Sequence, residues 1–160
     1  MFSARRQKAT LVAALAMYMA MLAVGNVVDP GTNTAYVQHV LSMDTILPYS
    51  TQKWRAVNNP ELWRLAYVLI LVFEAMMAGW LGWAAVRLFR ASEATWKRAR
   101  AFASQAVVST LLLWLVGFII VGGEWFQMWQ SAEWNGIDSA SKNFTIHGII
   151  LLYLNTPNDD

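Results

Sequence analysis

The sequence contains no cysteine and only two histidines in 160 residues. A disulfide, a thiolate metal site and a cysteine nucleophile are therefore excluded. Charge is scarce as well. Asp, Glu, Lys and Arg make up 14% of the chain, against about 25% in ordinary soluble domains. The net charge of +2 is too small to point to nucleic acid. No phosphate loop, nucleophile elbow or H-E-x-x-H helix is present. Ligands for a metal are not clustered. His39 falls in a polar stretch and His147 deep in an apolar one, so paired axial ligation of a haem finds no common cavity. No enzyme activity and no cofactor are expected.

What the chain has instead is apolar surface. Hydrophobic residues reach 57%, with nine Trp and eight Met. A chain of this length forms one domain. Its soluble core could not hide so much surface, so part of it must face lipid. The expected fold is all-α, an integral membrane four-helix bundle. Spans are expected at about 9–28, 61–90, 102–123 and 137–155, because about twenty apolar helical residues cross the hydrocarbon core.

The first span carries no charge and follows Arg5, Arg6 and Lys8. It is long for a signal peptide, so cleavage is not expected. Asp29-Pro30-Gly31 ends it. Residues 32–60 read as an outer amphipathic loop, with a short helix near Thr34–Leu41. The second span starts at Pro60, which suits a first helical turn. Arg90–Arg100 reads as a short basic connection to the third span. The fourth segment has a clean apolar run only over Phe144–Leu154. Extending it back to Ile137 brings in Asp138, Ser139, Ser141, Lys142 and Asn143.

Basic residues set the orientation. Arg5, Arg6, Lys8, Arg87, Arg90, Lys97, Arg98 and Arg100 fall on one side, and Lys53, Arg55, Arg64 and Lys142 on the other. The excess places both chain ends inside, an N-in/C-in arrangement, with Asn158-Asp159-Asp160 in the cytoplasm.

Glu74 interrupts the second span. Counting about 1.5 Å per residue from Pro60 puts it near the bilayer middle, where a carboxylate is costly and turns towards a partner. It serves either as a proton or cation site or as a paired group fixing helix register. His147, at a similar depth on the fourth helix, is the candidate partner; Ser109–Thr110 is another. The alternative for His147 is a bond to a carbonyl or hydroxyl. Ala16/Ala20, Ala75/Gly79 and Ala78/Gly82 have the small-residue spacing of close helix contacts. In the stretch Glu124–Gln130, a helix would align Trp125, Met128 and Trp129. These residues, with Trp134, form either an interfacial anchor or a docking surface. The 32–60 and 124–136 segments are expected to pack together as one outer cap.

Two stretches carry a family resemblance. His39-Val40-Leu41-Ser42-Met43-Asp44-Thr45, Pro48 and Trp54-Arg55-Ala56 form the first. Val116-Gly117-Phe118, Gly122-Gly123-Glu124-Trp125-Phe126, Met128-Trp129-Gln130-Ser131 and Trp134-Asn135-Gly136 form the second, more specific one. Together they resemble a bacterial family of predicted small integral membrane proteins of unknown function, over nearly the whole chain. The polar run Asp138–Asn143 departs from the more apolar start of the fourth helix usual there. The resemblance implies four spans in a bacterial inner (cytoplasmic) membrane and supplies no catalytic residues. With almost no aqueous domain and broad aromatic surfaces, the chain reads first as an accessory, non-catalytic subunit or assembly partner of a larger membrane complex. Its partners would be the lipid bilayer and other membrane subunits. The alternative is a small transporter or proton-linked permease using Glu74 and His147.

Overall fold

The computed structural model describes residues 3–157; the acidic end at 158–160 lies outside them. Among the described residues all regular structure is helical. Helix α1 spans Ala4–Val28 and is capped by Ser3, whose hydroxyl accepts from the Arg6 N–H at 3.4 Å. Asp29 ends α1 and begins α2, Pro30–Ser42, by accepting from the Thr32 N–H at 3.2 Å. Pro30 stops one helix and opens the next because a first-turn residue needs no N–H donor. The loop expected at 32–60 is therefore half helix. Met43, at φ 51°, ends α2 in a left-handed turn.

Helix α3, Pro60–Phe89, is capped by Asn59, which accepts from the Glu61 N–H at 2.9 Å. Only Arg90–Ser92 separate it from α4, Glu93–Leu112. The basic run to Arg100 is thus not a connection. A reciprocal Ser92–Thr95 cap starts α4 early, and Lys97, Arg98 and Arg100 ride on its first turns. After Leu112 the helix continues to Trp125 in the wider π form. Its last bond shows the longer reach, with the Phe126 N–H donating to the Val121 carbonyl at 3.0 Å. Such stretches are rare and are usually a single turn long. Helix α5 covers Ile137–Asn155.

Among the described residues three helices are long and apolar enough to cross a membrane: α1, α3 and the continuous Glu93–Trp125. Helix α5 is not among them, because its polar first half dilutes its hydropathy. Length and composition thus support three crossings where the sequence suggested four.

One end of the molecule gathers the starts of α1 and α4 and the end of α5. Arg5 pairs with Glu93 at 3.2 Å, Lys8 Nζ donates to the Thr156 carbonyl at 2.7 Å, and Ser104 meets Asn155 at 3.2 Å. The opposite end holds α2, the 43–59 segment and residues 126–136. Helix α1 packs along α3, α3 along α4, and α4 along α5. The core between them uses Ala9, Val12 and Met19 of α1, Leu81, Ala84 and Ala85 of α3, and Ala99, Ala103 and Ala106 of α4. Small side chains do allow close approach; of those the spacing suggested, Ala16 and Ala78 pack against this core, while the glycines do not. A methyl group at Gly79 or Gly82 would meet nothing within 4 Å. Leu65, Leu69, Val72, Met76 and Trp83 on the outer face of α3 are exposed, as lipid contact requires.

The distal segments pack as one cap. Met43, Ile46 and Phe126 form its small core. Thr45 donates to Ser131 at 3.0 Å, and the Leu47 N–H donates to Gln130 at 3.3 Å.

Candidate functional site: a cleft beneath the cap

Helices α1 and α5 meet less closely than α1 and α3, α3 and α4, or α4 and α5. A cavity of about 840 Å³ lies between them, floored by α3 and the π stretch and bordered by α2. Its polar residues follow helical spacing. Tyr18 and Asn26 are eight apart on α1, Tyr67 and Glu74 seven apart on α3, and Asn143 and His147 four apart on α5. These intervals put each pair on one helix face. Trp114 and Phe118 contribute aromatic wall, with ring centroids 5.1 Å apart.

Glu74 is 3% exposed and turns inward, away from lipid. Asn26 Nδ2 donates to its Oε2 at 2.6 Å, and the Asn26 carbonyl accepts from the Tyr67 hydroxyl at 2.5 Å. The side-chain amide and the backbone carbonyl of one residue thus tie α1 to two levels of α3. His147 is fully buried. Its Nδ1 lies 2.8 Å from the Thr110 hydroxyl, and that hydroxyl donates to the Val107 carbonyl at 2.7 Å. Tyr18 donates to Asn143 Oδ1 at 2.6 Å across the α1–α5 gap. Glu74 and His147 therefore line one cavity, yet each holds its own partner. Thr110 serves His147 and not Glu74. Asn26, Tyr18, Tyr67 and Asn143 escaped the sequence reading, since neutral polar groups barely disturb an apolar run.

The cap reaches the same space. Tyr36 of α2 lines the cavity beside Gly136. Its hydroxyl donates to Met128 Sδ at 2.7 Å, and its ring meets Trp134 edge-on at 6.1 Å. Burial pushes the Tyr36 phenol up to about 12, against the opposing pull of a backbone hydrogen bond from Gly136. Trp134 also stacks on His39 at 4.6 Å, and His39 pairs with Asp44 at 2.9 Å.

The four residues read as an anchor or docking face do not share one face. The helix ends at Phe126, and Gln127 takes φ 56°. Trp125 and Trp129 stand 48% and 49% exposed, while Met128 is 2% exposed beneath Tyr36. Trp134 is half-buried in the cap. Arg55 lies over Trp54 and Trp125, at 5.4 and 4.7 Å from their ring centroids. Among the described residues no three His, Asp or Glu side chains cluster as metal ligands.

A family model described as predicted small integral membrane protein (DUF2165) matches residues 4–157. No curated protein and no solved structure matches the chain.

Proposed function

The chain belongs to this family of small integral membrane proteins, and from that premise we propose that it binds a small polar solute in its interior cavity and passes it across a bacterial inner membrane, with no reaction of its own. The single observation that carries this reading is the cavity itself. It has the volume of a small-molecule site, and it brings a buried carboxylate and a buried imidazole to one space. Buried ionisable groups in a membrane interior are costly and belong to solute or proton pathways more often than to packing.

We propose four crossings, with α5 the fourth although its polar first half keeps it below the hydropathy of the other three. Helix α5 is about 28 Å long at 1.5 Å per residue, runs antiparallel along α4, and joins the start of α1 through Lys8 and Thr156. The end holding Arg5, Arg6, Lys8, Arg87 and the start of α4 carries the basic excess and faces the cytoplasm. The cap then faces outward.

The test is transport by purified protein in proteoliposomes carrying an internal pH-sensitive dye, across a panel of amines, acids and sugars. Saturable solute-linked signal that disappears in Glu74→Gln supports the reading. Wild-type vesicles indistinguishable from empty ones for every solute would reject it.

A second reading rests on the cap rim. Trp54 and Trp125 expose aromatic surface around Arg55, and Trp129 is exposed as well; Trp and Arg are enriched at interfaces. On that reading the protein is an accessory subunit of a larger complex. Purification in mild detergent distinguishes the two: a stoichiometric membrane partner, lost on Trp125→Ala plus Trp129→Ala, favours the subunit.

A further inference from the structure

The residues lining the cleft change character along its length. Near the cap stand Asn33, Tyr36, Asn135, Ser139 and Lys142, with Glu74 held beside Asn26. Farther from the cap the lining turns apolar, with Ala14 and Leu15 of α1 and Ile146 and Ile150 of α5. His147 and Trp114 belong to this half too. His147 Nε2 and Trp114 Nε1 are enclosed and His147 Nδ1 is bonded to Thr110, so neither ring offers the cleft a polar atom. The Tyr18–Asn143 bridge marks the boundary between the halves.

The mouth of the cleft lies between α1 and α5. Tyr18 and Ile146 line it and are exposed, and so are Met17 and Met21 on α1 and Ile149 on α5. Apolar side chains on the outside of a spanning helix face hydrocarbon, so the mouth opens sideways into lipid. A solute without a tail would leave the apolar half short of contacts. A chain sliding in from the bilayer gains little from burial, because lipid tails are as apolar as leucine. Selectivity therefore rests with the polar half.

That half carries one charge of each sign. Lys142 is exposed and makes no ion pair among the described residues. Glu74 gives Oε2 to Asn26, while its Oε1 takes no bond and is not enclosed. A head group of either net charge would meet one like charge there; a net-neutral one balances both.

Resting on the reading of this cleft as a solute site, we infer that the solute is a single-chain amphiphile with a net-neutral polar head. Its head lies under the cap, its tail lies along the apolar half, and it enters from the bilayer between α1 and α5.

Photolabelling of the full-length protein in phosphatidylcholine vesicles tests this, with palmitoyl lysophosphatidylethanolamine bearing a diazirine near the chain end. Adducts mapped by mass spectrometry are expected to concentrate around Ala14, Leu15, Ile146 and Ile150 and to saturate. Excess unlabelled lipid should remove them and leave sparse adducts on the outer face of α3 unchanged. Ala14→Trp, at an exposed position, should fill the apolar half and abolish the saturable adducts without moving the thermal midpoint. Palmitoyl lysophosphatidylglycerol and hexadecylammonium should compete at least tenfold less well than the zwitterion. Equal competition by either charged lipid overturns the net-neutral head. Equal displacement by tail-free glycerophosphoethanolamine overturns the amphiphile alone and leaves a solute without a tail. Labelling that neither saturates nor yields to any competitor overturns the inference and the solute reading together.

Discussion

Replacing Gly136 with alanine should loosen the cap from the cavity, and the coordinates say how. Gly136 has φ −95°, an ordinary value for any residue, so backbone strain contributes nothing. The added methyl carbon would overlap the Tyr36 hydroxyl oxygen and sit 3.2 Å from Cζ. The tyrosine ring is rigid and is flanked by Trp134 and Met128, so it must swing away bodily. That breaks the bond to Met128 and the backbone bond to Gly136, each worth about 0.5–1.5 kcal/mol. The total cost is about 1–3 kcal/mol, the usual range for overpacking. Tyr36→Phe alone should cost about 1 kcal/mol, yet it removes the atom that clashes. The double variant should therefore be more stable than the sum of the single losses, by about 1–2 kcal/mol. Unfolding by SDS in mixed micelles, followed by tryptophan fluorescence, measures all three. Additive losses, or an unaffected Gly136→Ala, would refute the steric argument.

Three further outcomes follow from the same geometry. Glu74→Leu should lose about 1 kcal/mol because the half-buried Asn26 Nδ2 is left without an acceptor, whereas Glu74→Gln should unfold like wild type; equal losses in both would contradict the assigned bond. Stability should fall as pH rises from 10 towards about 12, because the unfolded chain releases the Tyr36 proton first. Below that window the contribution is fully present, and Tyr36→Phe should remove this part of the slope; an identical slope in the variant counts against it. Reporter fusions after Ser92 and after Thr156 should both score cytoplasmic, and a periplasmic signal at either would overturn the orientation.

Some of this was legible in the sequence and some was not. Glu74 stood out because one carboxylate in a long apolar run has few explanations, and its inward turn follows from the cost of charge in hydrocarbon. Its partner was not legible. Asn26 is a neutral amide near the end of a hydrophobic helix, and no periodicity marks it. The cap was foreseeable from its aromatic residues, and so was a short helix within it near Thr34–Leu41; only its early start was hidden, because Pro30 looks like a terminator and serves as a starter. The early onset of α4 was masked by its charges, which resemble a loop until the Ser92–Thr95 cap is recognised. The π stretch has no evident sequence signal, since local composition does not separate five-residue from four-residue bonding. The left-handed turn at Gln127 likewise broke the face expected to join Trp125, Met128 and Trp129.

The bond from Lys8 to the Thr156 carbonyl also makes the fold a closed circuit. Both ends of the described chain meet on one side of the bundle, so a short Gly/Ser linker could join them without crossing the membrane. If the circuit were reopened between Arg90 and Ser92, α4 would become the leading helix. It points the same way as α1, so every later helix would keep its direction and its neighbours. The order of the segments along the chain would then be one of several equivalent starting points, and adjacent ends are what makes circular permutation tolerable. A permuted gene encoding α4, α5, the linker, α1, α2 and α3 should yield protein with the wild-type Tyr36 titration and thermal midpoint. Failure of the permutant to insert would show that α1 must enter the membrane first.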